Sequence, residues 1–222
     1  MVFQAPAAAI ALRAEPFITA KQLDLTHYLP APPPEDSERA KAEIAEVLAV
    51  QTARTVATAE LVKAYAIEGI EQFWPVLGAT RSLEISPRAA LFFERLMATE
   101  AAIVDPAKAA FARLRPHMVD DQVKPVVKRT TSGAWPSGHA SNGWMHAIIL
   151  ADMMPERREA LFNRADEISE SRIIGGIHRR SDVLIGRQAG SLIALTLLNN
   201  SSFRDELAPV RDEIRTLLSL PK

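Results

Sequence analysis

From residue 36 onward apolar positions recur every three or four residues, and β-branched residues never build a convincing alternating run. That period belongs to helices with one buried face. Asp36 or Ser37 can cap a helix running to about Arg54. A second, from Thr58 or Ala59, carries Leu61, Tyr65, Ile67 and Ile70 at helical spacing and stops near Pro75 and Gly78. Ser86-Pro87 is a cap followed by proline at the first helical position, predicting a helix to about Ile103. Asp105-Pro106 repeats the device, and Pro116 is expected to end the helix it starts. Further helices are predicted over 137–153, 155–171, 181–197 and 204–218. Residues 1–34 read as an irregular lead-in, closed by Pro30 and Pro32-Pro33-Pro34. Residues 117–135 are the longest later stretch without a period, and a loop that long inside a compact domain is usually functional. The expectation is an all-α, single-domain helical bundle over 35–222.

Composition narrows this picture more than it changes it. At 222 residues with 48% hydrophobic content, the chain can bury a substantial core. It has no cysteine, so disulfides and thiolate metal sites are excluded. The apolar runs at 147–150 and 192–198 are far too short for a membrane span. An apolar patch at 5–12 has no positive charge close before it, which makes it a poor secretory signal. Net charge is −1, and no nucleic-acid partner is expected. Between Lys108 and Arg180, however, twelve Lys/Arg face eight Asp/Glu, a local excess suited to an anion cleft.

Three short blocks lie in and around that basic third: K-x6-R-P at Lys108, Arg115 and Pro116, P-S-G-H at 136–139, and S-R-x5-H-x3-D from Ser171 to Asp182. Lys108 and Arg115 are seven apart, so one helix would present both from one face, a point charge and a planar fork for one anion. Taken alone such a pair is more often a solvated stripe, and Arg113, off that face, reads as a surface residue. Ser137 and Gly138 open a helix whose free amides suit an oxyanion, with His139 beside them. The plain alternative for Ser137 is a helix cap, and for P-S-G-H a turn. His146, one heptad on, reads as packing or surface.

His178 and Asp182 would share a helical face. The carboxylate could accept Nδ1–H and leave Nε2 free as a nucleophile, although such pairs are also common structural features. Gly175-Gly176 should break the helix and fold Arg172 back beside His178. A metal at His139, His178 and Asp182 fits poorly among so many cations.

Jointly, the eleven specified positions resemble the signature of the type-2 phosphatidic acid phosphatase (PAP2) superfamily, which also includes vanadium haloperoxidases and bacterial class A non-specific acid phosphatases. The chain is most similar to the last group, over roughly residues 28–215, including Leu29-Pro30, Pro32–Pro34 and Ser141-Asn142-Gly143-Trp144. The resemblance implies an all-α PAP2 fold and a phosphohistidine intermediate, without metal or other cofactor, vanadate acting as inhibitor or phosphate mimic. It assigns His178 as nucleophile, Asp182 as its orienter and His139 as proton donor. Lys108, Arg115, Ser137, Gly138 and Arg172 become phosphate ligands. The implied substrates are small phosphate monoesters, with phosphotransfer when an alcohol replaces water. The implied location is periplasmic or secreted, and a homo-oligomer is compatible with it. Two departures stand out. Arg179-Arg180 replaces an aromatic and a polar residue, which could favour more anionic substrates, and the group's cysteines are absent. Trp135 fits either the pocket mouth or the core. The rival readings are a vanadate-dependent haloperoxidase and a non-catalytic anion-binding protein.

Overall fold

A computed structural model of the chain describes residues 14–79 and 83–221. The patch at 5–12 lies outside them. Helix is the only regular structure among the described residues: α1 (Glu38–Ala53), α2 (Val56–Ala64), α3 (Pro87–Phe111), α4 (Pro116–Val119), α5 (Gly138–Met153), α6 (Arg158–Ile174), α7 (Arg180–Leu198) and α8 (Ser201–Leu217). Within 14–34 there is only a 3-10 turn, Leu25–His27. Helix α5 is the centre of the bundle, buried along most of its length and packed against α6 and α7. Helix α3 lies against α5 and α8.

The predicted caps work as the chemistry requires. Ser37 accepts from the amide of Ala40 and Ser86 from Ala89, each satisfying a donor that the helix leaves free; Asn200, a cap not expected, accepts from Phe203 and starts the last helix at Ser201 rather than at 204. Five expectations are corrected. Helix α2 ends at Ala64, about ten residues early, because Gln72 Nε2 donates to the carbonyls of Ala64 and Ile67 and closes the helix end. Leu61 and Ile67, counted as part of a buried stripe, are exposed. The stretch after α2 instead forms 3-10 turns at Ile70–Gln72 and Trp74–Leu77.

Asp105-Pro106 does not start a helix. Pro106 lies inside α3 on its exposed side, where water can take the carbonyl its missing N–H leaves free. Helix α3 stops at Phe111, followed by Ala112 in the left-handed region (φ 50°), so Pro116 opens α4 rather than ending the helix before it. Helix α6 starts three residues later than expected, after a 3-10 turn at Pro155–Arg157.

The α5–α7 contact positions the two motif-bearing helix starts. A Cβ on Gly186 would lie 2.6 Å from the Ser137 carbonyl oxygen, and one on Gly190 only 2.2 Å from that of Ser141. Neither position has room for a methyl group. The backbones therefore meet directly, and the Ser137 amide donates to the Asp182 carbonyl at 3.0 Å. Two blocks forty residues apart in sequence are held side by side.

Candidate active site

A cavity of about 320 Å³ opens where α3, the start of α5, the end of α6 and the loop before α5 converge. Lys108, Arg115, Gly138, His139, Arg172 and His178 all line it. Ser137 and Asp182 lie just behind its wall, fully buried. The eight residues singled out by the motifs thus occur in one place, though by a different route from the one expected. Lys108 and Arg115 do not share a helical face. The chain reverses at Ala112, and Arg115 approaches from the residue before α4.

His178 precedes α7 and Asp182 sits in its first turn. His178 Nδ1 is 3.3 Å from Asp182 Oδ2, while Nε2 is 3.1 Å from Arg115 Nη1. A guanidinium can only donate, so Nε2 must accept and the ring proton resides on Nδ1. Burial, then the charges of Arg115, Lys108, His139 and Arg172, hold His178 well below the usual histidine range, so it is neutral. Burial pushes Asp182 up to about 6, opposed by Arg113 and by the Arg179 amide, which donates to Oδ2 at 2.8 Å.

Arg113 is the residue that sequence reasoning missed. Expected on the surface, it is 4% exposed and lies behind His178, donating to Asp182 at 2.5 Å, Ser181 at 2.7 Å and Glu43 at 2.8 Å. Because α3 ends four residues before Arg115, the helical face used to place Arg113 does not exist there. Arg179 and Arg180 also depart from expectation, since neither lines the cavity. Arg179 is buried and paired with Glu35, and Arg180 pairs with Glu46 and Glu170. Their charge is paired with carboxylates away from the cavity lining, which removes the structural ground for expecting more anionic substrates from them.

The remaining ligand candidates are poised from several elements. Arg172, 1% exposed, is fixed by Ser171 Oγ at 2.9 Å and the Val62 carbonyl at 3.0 Å, and burial lowers it to about 10. Gly176, with φ 75°, ends α6 in a conformation that favours glycine, and the turn brings Arg172 and His178 to the same cavity. A Cβ on Gly138 would lie 2.8 Å from Lys108 Nζ, so a side chain there would push the ammonium away. Ser137 makes no side-chain cap, and its buried Oγ has no hydrogen-bond partner among the described residues. It is a donor without an assigned acceptor at the edge of a cavity lined by Lys108, Arg115 and Arg172.

His139 Nδ1 is 2.8 Å from Glu68 Oε1, and Nε2 is 3.2 Å from the Ala66 carbonyl oxygen. Both nitrogens face acceptors, an arrangement that the doubly protonated ring satisfies in full. Although burial works against it, bonding to His139 and the charges of Lys108 and Arg172 hold Glu68 below the usual range. Glu68 had no sequence signal, since it fell inside a helix that does not form. Two other expectations resolve toward packing. His146 is buried against Phe73 and Phe93, and burial lowers it to about 4. Trp135 is core, donating Nε1–H to the Pro30 carbonyl at 3.0 Å.

The sequence profile of the PAP2 superfamily matches residues 90–205, more than half of the chain and all three blocks. The chain belongs to the PAP2 superfamily. Curated relatives of this PAP2 protein include a non-specific acid phosphatase of Providencia stuartii, 33% identical over 115 residues, half of this chain and 46% of that protein. Another, from Salmonella typhimurium, is 31% identical over 147 residues, 64% of this chain and 59% of that one. An acid phosphatase of Zymomonas mobilis is 31% identical over 132 residues, 58% and 50% of the two chains. The matches thus span about half to three-fifths of these relatives' lengths. Among solved structures, a bacterial vanadium-dependent iodoperoxidase superposes with a TM-score of 0.58 at 21% identity, covering 78% of this chain and 53% of that one. A transmembrane PAP2-type phosphatidylglycerolphosphate phosphatase from Bacillus subtilis gives 0.54 at 19%, covering 73% and 86%. These two establish the all-α PAP2 fold. No helix among the described residues is long and apolar enough to cross a membrane.

Proposed function

We propose that this PAP2 protein is an acid phosphatase of the class A type, hydrolysing small phosphate monoesters through a phosphohistidine. The observation that carries the reading is His178 Nε2, unprotonated and aimed into a cavity that Lys108, Arg115 and Arg172 also line. A phosphoryl group among these cations takes over the Arg115 N–H bond and frees the Nε2 lone pair for in-line attack on phosphorus. The P–O bond to the alcohol breaks as the N–P bond forms, and His139 delivers its Nε2 proton to the departing oxygen. Water then attacks the phosphohistidine, giving its proton back to His139 and releasing phosphate and neutral His178. An alcohol in place of water completes phosphotransfer.

The transition state is loose, and charge stabilisation dominates it. Three cations, the α5 amides and the Ser137 hydroxyl supply that stabilisation without a metal in the scheme. The names of the curated relatives support the same activity, and a periplasmic or secreted location follows from the same reading.

The test is p-nitrophenyl phosphate turnover across pH with EDTA and vanadate added separately, followed by an alkaline quench to preserve a phosphohistidine. Turnover that resists EDTA, yields to vanadate and leaves phosphate on His178 is expected. Loss of turnover in EDTA, or halide oxidation with vanadate and peroxide in its place, would overturn the proposal.

A further inference from the structure

Of three carboxyl groups on the cavity wall, Glu68 is paired with His139 and Asp105 with Lys108, which leaves Glu100. Glu100 sits on α3 eight residues before Lys108, is 6% exposed and lines the cavity. Its Oε1 is buried and has no hydrogen-bond partner among the described residues. A Cβ placed on Gly138 would be 2.8 Å from Lys108 Nζ and 3.6 Å from Glu100 Oε1, so ammonium and carboxyl flank the same spot at the start of α5. Lys108 takes its ion pair from Asp105, at 3.6 Å.

An ionised carboxylate here would face the phosphoryl oxygens with like charge and offer them only acceptors. A carboxylic acid has an O–H to donate, and an unpartnered buried donor needs an acceptor. Burial pushes Glu100 up to about 8, with Glu68 and Asp105 adding to the effect and Lys108 opposing it. The charged groups around it are Lys108 and Asp105 on its own helix, Glu68 from the segment after α2, His139 of α5 bonded to that Glu68, and Arg172 of α6 across the cavity.

We propose that Glu100, as the carboxylic acid, donates a hydrogen bond to the tetrahedral anion held by Lys108 and Gly138, and that losing this proton drives the anion out. Glu100 is then a binding residue that sets the alkaline limit of the pocket. The proposal rests on the phosphate site described above and extends it to a choice of working pH made by one side chain.

Sulfate is the probe, because it is a dianion throughout the range of interest and its binding reports only the protein's ionisation. Its dissociation constant is measured by calorimetry on the full chain, from about pH 6 to about pH 9. Wild-type affinity should fall at least about tenfold across that range, as expected for one like charge appearing beside the ligand. Glu100→Gln keeps a donor and cannot ionise, so its affinity should fall less than about threefold. Glu100→Met fills the same space without a donor and should bind more weakly than Glu100→Gln at about pH 6. Equal pH dependence in wild type and Glu100→Gln, or equal affinity of Glu100→Met and wild type at the acid end, would overturn the proposal. Absence of sulfate binding to wild type at every pH would instead overturn the underlying phosphate site.

Discussion

Arg113 and Arg115 are two residues apart, each 4% exposed, and they do opposite things. Arg113 looks away from the cavity and meets two carboxylates, Asp182 and Glu43, so its charge is spent inside the protein. Arg115 faces the cavity, and its partners are the Ser132 and Ile177 carbonyls, the Ser132 hydroxyl and the His178 ring. None of them is an anion. A buried cation without a counter-charge is costly to keep, and burial does push Arg115 below its usual value. The guanidinium whose charge is left over is the one that lines the cavity. Burial alone does not separate them; the company each keeps does.

The comparison can be broken by experiment. Arg115→Met should cost the most activity, about 10²–10³-fold in kcat/KM, with stability unchanged within about 1 kcal/mol or raised, since an uncompensated buried charge is gone. Steady-state kinetics and denaturant unfolding on the same sample check both halves. Arg113→Met should show the reverse balance. It strands two buried carboxylates and should lose about 3–5 kcal/mol of stability. Its kcat should fall more than KM changes, because it acts on His178 only through Asp182. If Arg113→Met is as stable as wild type, the compensated network is not what holds this side of the site. Combining it with Glu43→Gln should return about 1–3 kcal/mol relative to the sum of the single variants, read from a double-mutant cycle.

A last expectation concerns pH and leaves the activity at neutral pH untouched. His146 is buried neutral, with a folded-state value near 4 against 6.5 for the free side chain. Below pH 6.5 the unfolded chain takes up a proton that the folded one refuses, so stability falls as pH drops from 6.5 toward 4. His146→Phe should remove roughly 3 kcal/mol of that loss, seen as a shallower fall in unfolding free energy. His178 adds a loss of the same sign. Identical acid profiles for His146→Phe and wild type would show that this ring is not among the groups responsible.

Much of this was legible in residues. The serine caps, and proline after Ser86, act through local chemistry that needs no tertiary partner, and they mark real helix starts at Glu38 and Pro87. The motif residues were legible because their types and spacings together suit one anion, and the fold does bring them to one cavity. What failed depended on where helix α3 stops. Ala112 takes a left-handed conformation with no glycine to signal it, so the helical face drawn through Lys108 and Arg115 ran past the real end. That same error put Arg113 in solvent. Glu68 and Glu100 were invisible for another reason: Glu68 fell inside a helix that does not form, and neither belongs to a motif, so only the folded cavity wall brings them beside Lys108.

The seam between α5 and α7 sets a final consequence. With carbonyl oxygens where any side chain of Gly186 or Gly190 would go, the two helix starts that carry His139 and lead from His178 are set by backbone against backbone, with no side chain between them to vary. On the proposed reading, adapting the site to a new alcohol would fall to the side where Val127, Lys128 and Thr130 border the cavity. The hinge side is closed to revision.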